Sequence, residues 1–294
     1  MKHQISIGSC NQCYLCIEIC PASVYGKSES GETIVLPGKE EVCIVCGHCM
    51  AVCETKSIQV DGLSYELNFP DLPLNNIDYD SFKAFLINRR SVRTFKDKPV
   101  PEELLKKIVD ILATAPYGVN PDNIEITVVP DKEMIQKALP YISLVYKQMG
   151  KMLTWSLTRW LFKLIIPKED FNTLVNFIVP HVRKGMYDIS TGKDDISRNA
   201  PAMILFHAPA DAEQHTADAH ICVTYAFLAA HALGLGATVI GIIGPAINNS
   251  KPLREMFRIP KGNVIVETVI FGFPKNHFKR GIIRPRKNVI LHNS

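Results

Sequence analysis

Cys10-Asn-Gln-Cys13-Tyr-Leu-Cys16-Ile-Glu-Ile-Cys20-Pro21 and Cys43-Ile-Val-Cys46-Gly-His-Cys49-Met-Ala-Val-Cys53-Glu54 share one spacing, C-x-x-C-x-x-C-x-x-x-C, and hold eight of the nine cysteines. A 4Fe-4S cubane needs four thiolates around one compact object, and three from a tight loop with one from a remote segment supply them. Structural zinc takes pairs of C-x-x-C and would leave half of each run without a role. Disulfides need an oxidising compartment, and Met1 to Gly8 lacks the apolar core of a signal peptide. The chain reads as a cytoplasmic electron carrier.

The doubled run resembles that of two-cluster bacterial ferredoxins, in which the fourth cysteine of each run serves the other cluster. The resemblance implies one cluster on Cys10, Cys13, Cys16 and Cys53 and a second on Cys43, Cys46, Cys49 and Cys20. Pro21 completes the usual Cys-Pro ending of the first run. Glu54 stands there in the second and changes that cluster's surroundings without removing a ligand.

Two clusters need only about 55 to 60 residues, because they substitute for much of a hydrophobic core. The remainder of the 294 residues suffices for a second domain. The expected division is a ferredoxin-like domain over 1–67, a Pro-punctuated linker over 68–77 and a second domain over 78–294. The net charge of +4 conceals an asymmetry: residues 1–68 carry four Lys/Arg against eight Asp/Glu, so the basic excess lies in the remainder. A basic body under an acidic head can attract an anionic ligand, and no nucleic-acid recognition motif accompanies it. Ala219 to Gly244 is uncharged and long enough to span a bilayer, but His220, His231, Gly234, Gly236, Gly241 and Gly244 interrupt it. It reads as a buried helix ending near Gly234, followed by a core strand from Ala237 to Ile243.

The second domain reads as α+β. Helices are expected over Tyr79–Asn88 and from Pro101 to about Ala115, strands over Ile124–Val129, Ala202–His207, Val264–Gly272 and Asn288–Leu291, and mainly helix over 131–187. Within the last, Met152–Ile166 carries Trp155 and Trp160 beside Arg159 and Lys163, as a lid or a core helix would. Arg89-Arg90-Ser91-Val92-Arg93-Thr94-Phe95 gathers three guanidiniums and a hydroxyl just after a helix, suited to clamping a phosphate or the carbonyl edge of a planar ring.

With Ala115–Asn120, Ala232–Gly241 and Phe271–Lys275, that block resembles, in order, the flavin-binding segments of nitroreductases. The whole chain is similar to the ferredoxin-nitroreductase fusions of anaerobes. The resemblance implies an α+β homodimer with FMN at the interface. It places Arg89, Arg90, Ser91 and Arg93 on the FMN phosphate, ribityl chain and pyrimidine edge, and Asn120 against the flavin. It also implies that Ile240 and Gly241 bring a backbone N–H to flavin N5, and that Arg280 and Arg286 complete the phosphate site. Tyr117, Asp122, Asn123 and Ile124 replace the loop's usual Ser, Gln, Pro and Trp, so the substrate pocket is expected to differ. Whether Tyr117, Asp122 or the 141–187 helices shape it stays open, and no residue is assigned as catalytic. His207, Cys222 and His231 read as core or interface residues. The implied activity is relay of electrons from a ferredoxin or flavodoxin through two clusters to FMN, which reduces a nitroaromatic, quinone or activated alkene. The alternatives are an NAD(P)H-dependent flavoprotein that exports electrons through the clusters, and a non-catalytic redox carrier or sensor.

Overall fold

The computed structural model describes residues 3–292 apart from 75, 119, 120, 154 and 186. The chain divides into two compact units, Met1–Ile77 and Asp78–Ser294. The first contains β1 (His3–Ile5), α1 (Leu15–Ile19), β2 (Tyr25–Lys27), β3 (Thr33–Val35), α2 (His48–Ala51), β4 (Ile58–Val60) and α3 (Tyr65–Asn68). β1 pairs antiparallel with β4, and β2 with β3, giving two short ribbons. Its buried core is Cys16, Val24, Tyr25, Cys49, Met50, Ile58 and Val60. So small a core, with two cysteines in it, is typical of domains that need an additional cross-link or metal to fold.

The second unit contains α4 (Tyr79–Asn88), α5 (Glu102–Leu112), β5 (Glu125–Val129), α6 (Lys132–Met152), α7 (Ser156–Ile165), α8 (Lys168–Thr173), α9 (Val179–Arg183), β6 (Ala202–Pro209), α10 (His215–Ala232), β7 (Gly236–Val239), α11 (Ile243–Asn248), α12 (Lys251–Met256) and β8 (Asn263–Gly272). Its sheet is antiparallel in the order β5-β6-β8-β7. Side chains alternate across a strand, and β6 shows what that does when both faces are covered. Ala202, Ile204 and Phe206 join Leu105, Ile108, Ala226 and Ala230 of α5 and α10, whereas Met203 and Leu205 join Ile135, Leu139 and Ile142 of α6. The α+β expectation therefore resolves into helices on both faces of a central sheet.

Two local expectations are corrected. The strand expected over Ala237–Ile243 stops at Val239, and Ile243 opens α11 instead. The Tyr146 hydroxyl donates to the Ile242 carbonyl at 2.6 Å, which anchors the turn that ends the strand. Asn288–Leu291 is no strand: Val289, Ile290 and Leu291 are exposed, and among the described residues no strand pairs with them. The uncharged Ala219–Gly244 stretch divides between α10, β7 and α11. Among the described residues no helix is long and apolar enough to cross a membrane.

His207 lies in the core, 2% exposed, within a closed network. Asn263 Nδ2 donates to His207 Nδ1 at 2.9 Å and to Glu125 at 2.8 Å, so the imidazole proton sits on Nε2 and is given to Thr127 Oγ1 at 2.9 Å. Burial lowers its proton affinity, outweighing the opposite pull of Glu125. A histidine whose folded-state pKa is depressed leaves stability intact above the unfolded value of 6.5 and withdraws it as the pH falls below, because only the unfolded chain then takes up the proton. The urea midpoint of the second unit should fall between pH 7 and pH 5, and His207→Gln should flatten part of that slope. An unchanged slope would show that His207 is not the group responsible.

Candidate functional site

The cysteines of the first unit surround two cavities. One is lined by Cys10, Cys13, Cys16 and Cys53, the other by Cys20, Cys43, Cys46 and Cys49. Each cavity thus takes three sulfurs from one run and one from the other. The repeat runs deeper than the cysteines. Left-handed backbone recurs at Gln12 and Val45, Tyr14 and Gly47, and Ser23 and Lys56, matched positions of the two runs. The Val24 N–H donates to Cys20 Sγ, and its counterpart, the Ser57 N–H, donates to Cys53 Sγ, both at 3.3 Å. Val45 N–H donates to Cys43 Sγ at 3.4 Å. Amide donors aimed at sulfur suit anionic ligands. Burial pushes the Cys16 thiol up to about 11 and those of Cys43 and Cys49 upward, so ionised sulfur here depends on a cationic centre. Among the described residues no three His, Cys, Asp or Glu side chains close on a point as they would for a single ion. Four cysteines lining one cavity match the thiolate set of a 4Fe-4S cluster, which is larger than an ion.

In the second unit the arginine block crosses the end of the sheet. Ser91 bridges Ala237 of β7, Val92 N–H donates to the Ala237 carbonyl at 3.1 Å, and Phe95 bridges Pro274 just past β8. Gly236 and Gly272 lie opposite each other in the β7–β8 register. A Cβ at Gly236 would lie 2.5 Å from Val92, and one at Gly272 2.7 Å from the Phe95 ring. This glycine pair is the seat of the arginine segment, because any larger residue would lift it from the sheet.

Arg89 ends α4, with its N–H on the Phe85 carbonyl and its guanidinium over the Phe227 ring at 5.7 Å. Arg89 and Arg90 line a cavity of about 320 Å³ with Phe227, His231, Asn276 and His277. That lies within the roughly 300–1,000 Å³ of ligand pockets. Among the described residues neither guanidinium has an acidic partner. Burial and then the neighbouring Arg90 lower the Arg89 pKa, while burial and then Arg89 hold His231 neutral to lower pH. The cavity is therefore an uncompensated positive site that favours an anion.

The remaining sequence candidates are spread around it. Arg93 is exposed and Ser91 half-buried, and neither lines the cavity. The Ile240 N–H is spent on the Thr268 carbonyl at 2.9 Å. Gly241 is exposed, has no partner for its N–H among the described residues, and has nothing within 4 Å of where a Cβ would stand. Of the two, Gly241 has the amide available to a ligand. Arg280 is exposed but precedes Gly281, where an added Cβ would lie 2.4 Å from Ile87, which brings this part of the tail beside the end of α4. Arg286 is exposed farther along the tail. Asn120 lies outside the described residues. Its loop is anchored by Gly118, whose N–H donates to the buried Asp218 Oδ1 at 2.9 Å. Tyr117 is half-buried, Asp122 exposed, and Cys222 packs against the core below α10. Phe227 and His231 were missed as cavity residues. Their i, i+4 spacing on one helix just before Gly234 was the available signal.

Residues 86–273 match the Nitroreductase family, and residues 9–58 match the 4Fe-4S dicluster domain. A relative named FMN reductase [NAD(P)H], from Bacillus subtilis, is 24% identical over 201 residues, 68% of each chain. The crystal structure of a nitroreductase with bound FMN from Bacteroides fragilis superposes with a TM-score of 0.52 at 15% identity, over 71% of this chain and 98% of that one. One from Desulfitobacterium hafniense, also with bound FMN, gives 0.51 at 19% identity, over 72% and 97%. The fold and the sequence pattern define a flavin-dependent oxidoreductase carrying an N-terminal 4Fe-4S ferredoxin domain. The chain belongs to the nitroreductase family.

The glycine seat is open to test. Gly236→Val should destabilise the second unit by about 1–3 kcal/mol, the range for overpacking, and should release flavin on gel filtration. Retention of both stability and flavin would show that Val92 does not rest on Gly236.

Proposed function

We propose that the protein binds FMN and two 4Fe-4S clusters, and that the clusters relay electrons from a one-electron donor of the ferredoxin or flavodoxin kind to the flavin for reduction of a planar electrophile. Bound FMN would supply two-electron chemistry, and the clusters single-electron transfer. The observation that carries the reading is the presence, in one chain, of two four-sulfur cavities and a cavity with two unpaired arginines on a nitroreductase fold.

The chain's own residues have defined parts. Arg89 and Arg90 would hold the anionic end of the nucleotide, the free Gly241 amide would be available to donate to it, and Arg93, Arg280 and Arg286 would add charge from outside the cavity. Cys10, Cys13, Cys16 and Cys53 hold one cluster, and Cys20, Cys43, Cys46 and Cys49 the other.

We assign the working form as a homodimer with FMN at the interface. The scatter of Arg93, Gly241 and Arg286 outside the Arg89–Arg90 cavity supports completion of the site by a second copy. Apolar faces support it too. Phe82 and Leu86 of α4 are 46% and 41% exposed, Leu157 and Leu164 of α7 66% and 65%, and Ile283 and Leu291 of the tail 72% and 82%. Surface of this extent is what a partner covers.

The relatives' names favour a second reading, in which NAD(P)H reduces the flavin and the clusters carry electrons away. The acceptor class, whether nitroaromatic, quinone or activated alkene, is proposed from the electrophiles a reduced flavin attacks.

Anaerobically purified protein should contain about eight iron atoms and one FMN per chain, the content of two cubanes and one flavin. Arg90→Ala should weaken FMN binding by about 1.5–3 kcal/mol, the cost of a lost charge-assisted hydrogen bond. Colourless protein, or FMN held at full affinity by Arg90→Ala, would contradict the reading.

A further inference from the structure

The two halves of the cysteine unit match at a spacing of 33 residues, and at one matched pair the two cavities are lined by side chains of different chemistry. Tyr25 follows Cys20 by five residues, and Ile58 follows Cys53 by five. Ile58 lines the cavity of Cys10, Cys13, Cys16 and Cys53 with hydrocarbon alone. Tyr25 lines the other cavity, is 2% exposed, and directs its hydroxyl at Cys49 Sγ, 3.4 Å away.

His3 fixes the direction of that bond. Its Nδ1 lies 2.9 Å from the Tyr25 hydroxyl, while its Nε2 is buried without a partner. A thiolate only accepts, so the single phenol proton goes to sulfur and His3 Nδ1–H donates to the phenol oxygen. On the other side the amide bond to Cys53 matches the one to Cys20. The Thr55 hydroxyl lies 3.6 Å from Cys53 Sγ, but it is exposed and also bonded to Ser57 Oγ at 2.7 Å.

Reduction of a cluster adds negative charge that spreads onto its sulfurs, and a donor to sulfur stabilises that state, most where water is excluded. We propose that Tyr25 sets the reduction potential of the cluster held by Cys20, Cys43, Cys46 and Cys49, raising it through the Cys49 hydrogen bond, and that His3 positions the phenol for this task. The inference rests on the two-cluster reading of the function.

The test is an EPR-monitored redox titration of the anaerobic, full-length holoprotein. In Tyr25→Phe one of the two midpoint potentials should fall, by about 59 mV for a tenfold change in the ratio of reduced to oxidised cluster, while the other stays. A ring-fluorinated tyrosine inserted at position 25, a stronger donor of similar size, should move the same potential upward. This second arm decides the matter if Tyr25→Phe does not assemble. Two wild-type cluster signals whose potentials stay in place in these variants, or shift together, would overturn this inference alone. A wild-type protein without two cluster signals would overturn the cluster reading, and this inference with it.

Discussion

Each sulfur-lined cavity takes three cysteines from its own run and one from the other, so neither half of the N-terminal unit can complete a site alone. That crossing fixes the rest of the unit. The β1–β4 ribbon joins the two ends of the segment, and the buried core contains two of the cysteines themselves. With so few apolar side chains available, the order of this unit is tied to what its sulfurs bind. The same crossing repeats the backbone and the sulfur positions of one half in the other, and against that repeat the placing of tyrosine at one cavity and isoleucine at the other becomes chemically meaningful.

A different constraint governs the second unit. Here the core is ample, with the sheet covered on both faces, and what needs explaining is how a charged segment is held at the sheet's end. The answer is two glycines opposite each other in the β7–β8 register, which leave room for Val92 and Phe95. Seating these apolar side chains keeps Arg89 and Arg90 at the cavity, where, among the described residues, neither meets an acid. Positive charge left unpaired in a half-buried cavity is unfavourable without an anion, so the arrangement is suited to a nucleotide phosphate.

What could be read in the sequence was what depends on short spacing. The cysteine runs, the α4 helix before Arg89 and the apolar strand β6 all follow from patterns within about ten residues. Long-range pairing was hidden. Gly236 and Gly272 are each visible as turn-like residues, but only the register makes them one seat. The Gly118–Asp218 contact joins residues 100 apart and leaves no local signature. The two strand errors share a cause, since β-branched residues such as Ile242, Val289 and Ile290 have strand propensity without a strand beside them. Tyr25 stood five residues after a ligand, yet only the fold shows its hydroxyl turned toward the other run's cysteine.

The account holds that electrons pass from the clusters to the flavin, and rapid anaerobic mixing of the oxidised protein with a reduced ferredoxin tests this most directly. Cluster absorbance should bleach before flavin absorbance, and Cys53→Ala, which removes a sulfur from one cavity, should slow flavin reduction while leaving flavin content unchanged. Flavin reduction at an undiminished rate in Cys53→Ala, or bleaching of the flavin ahead of the clusters, would contradict it.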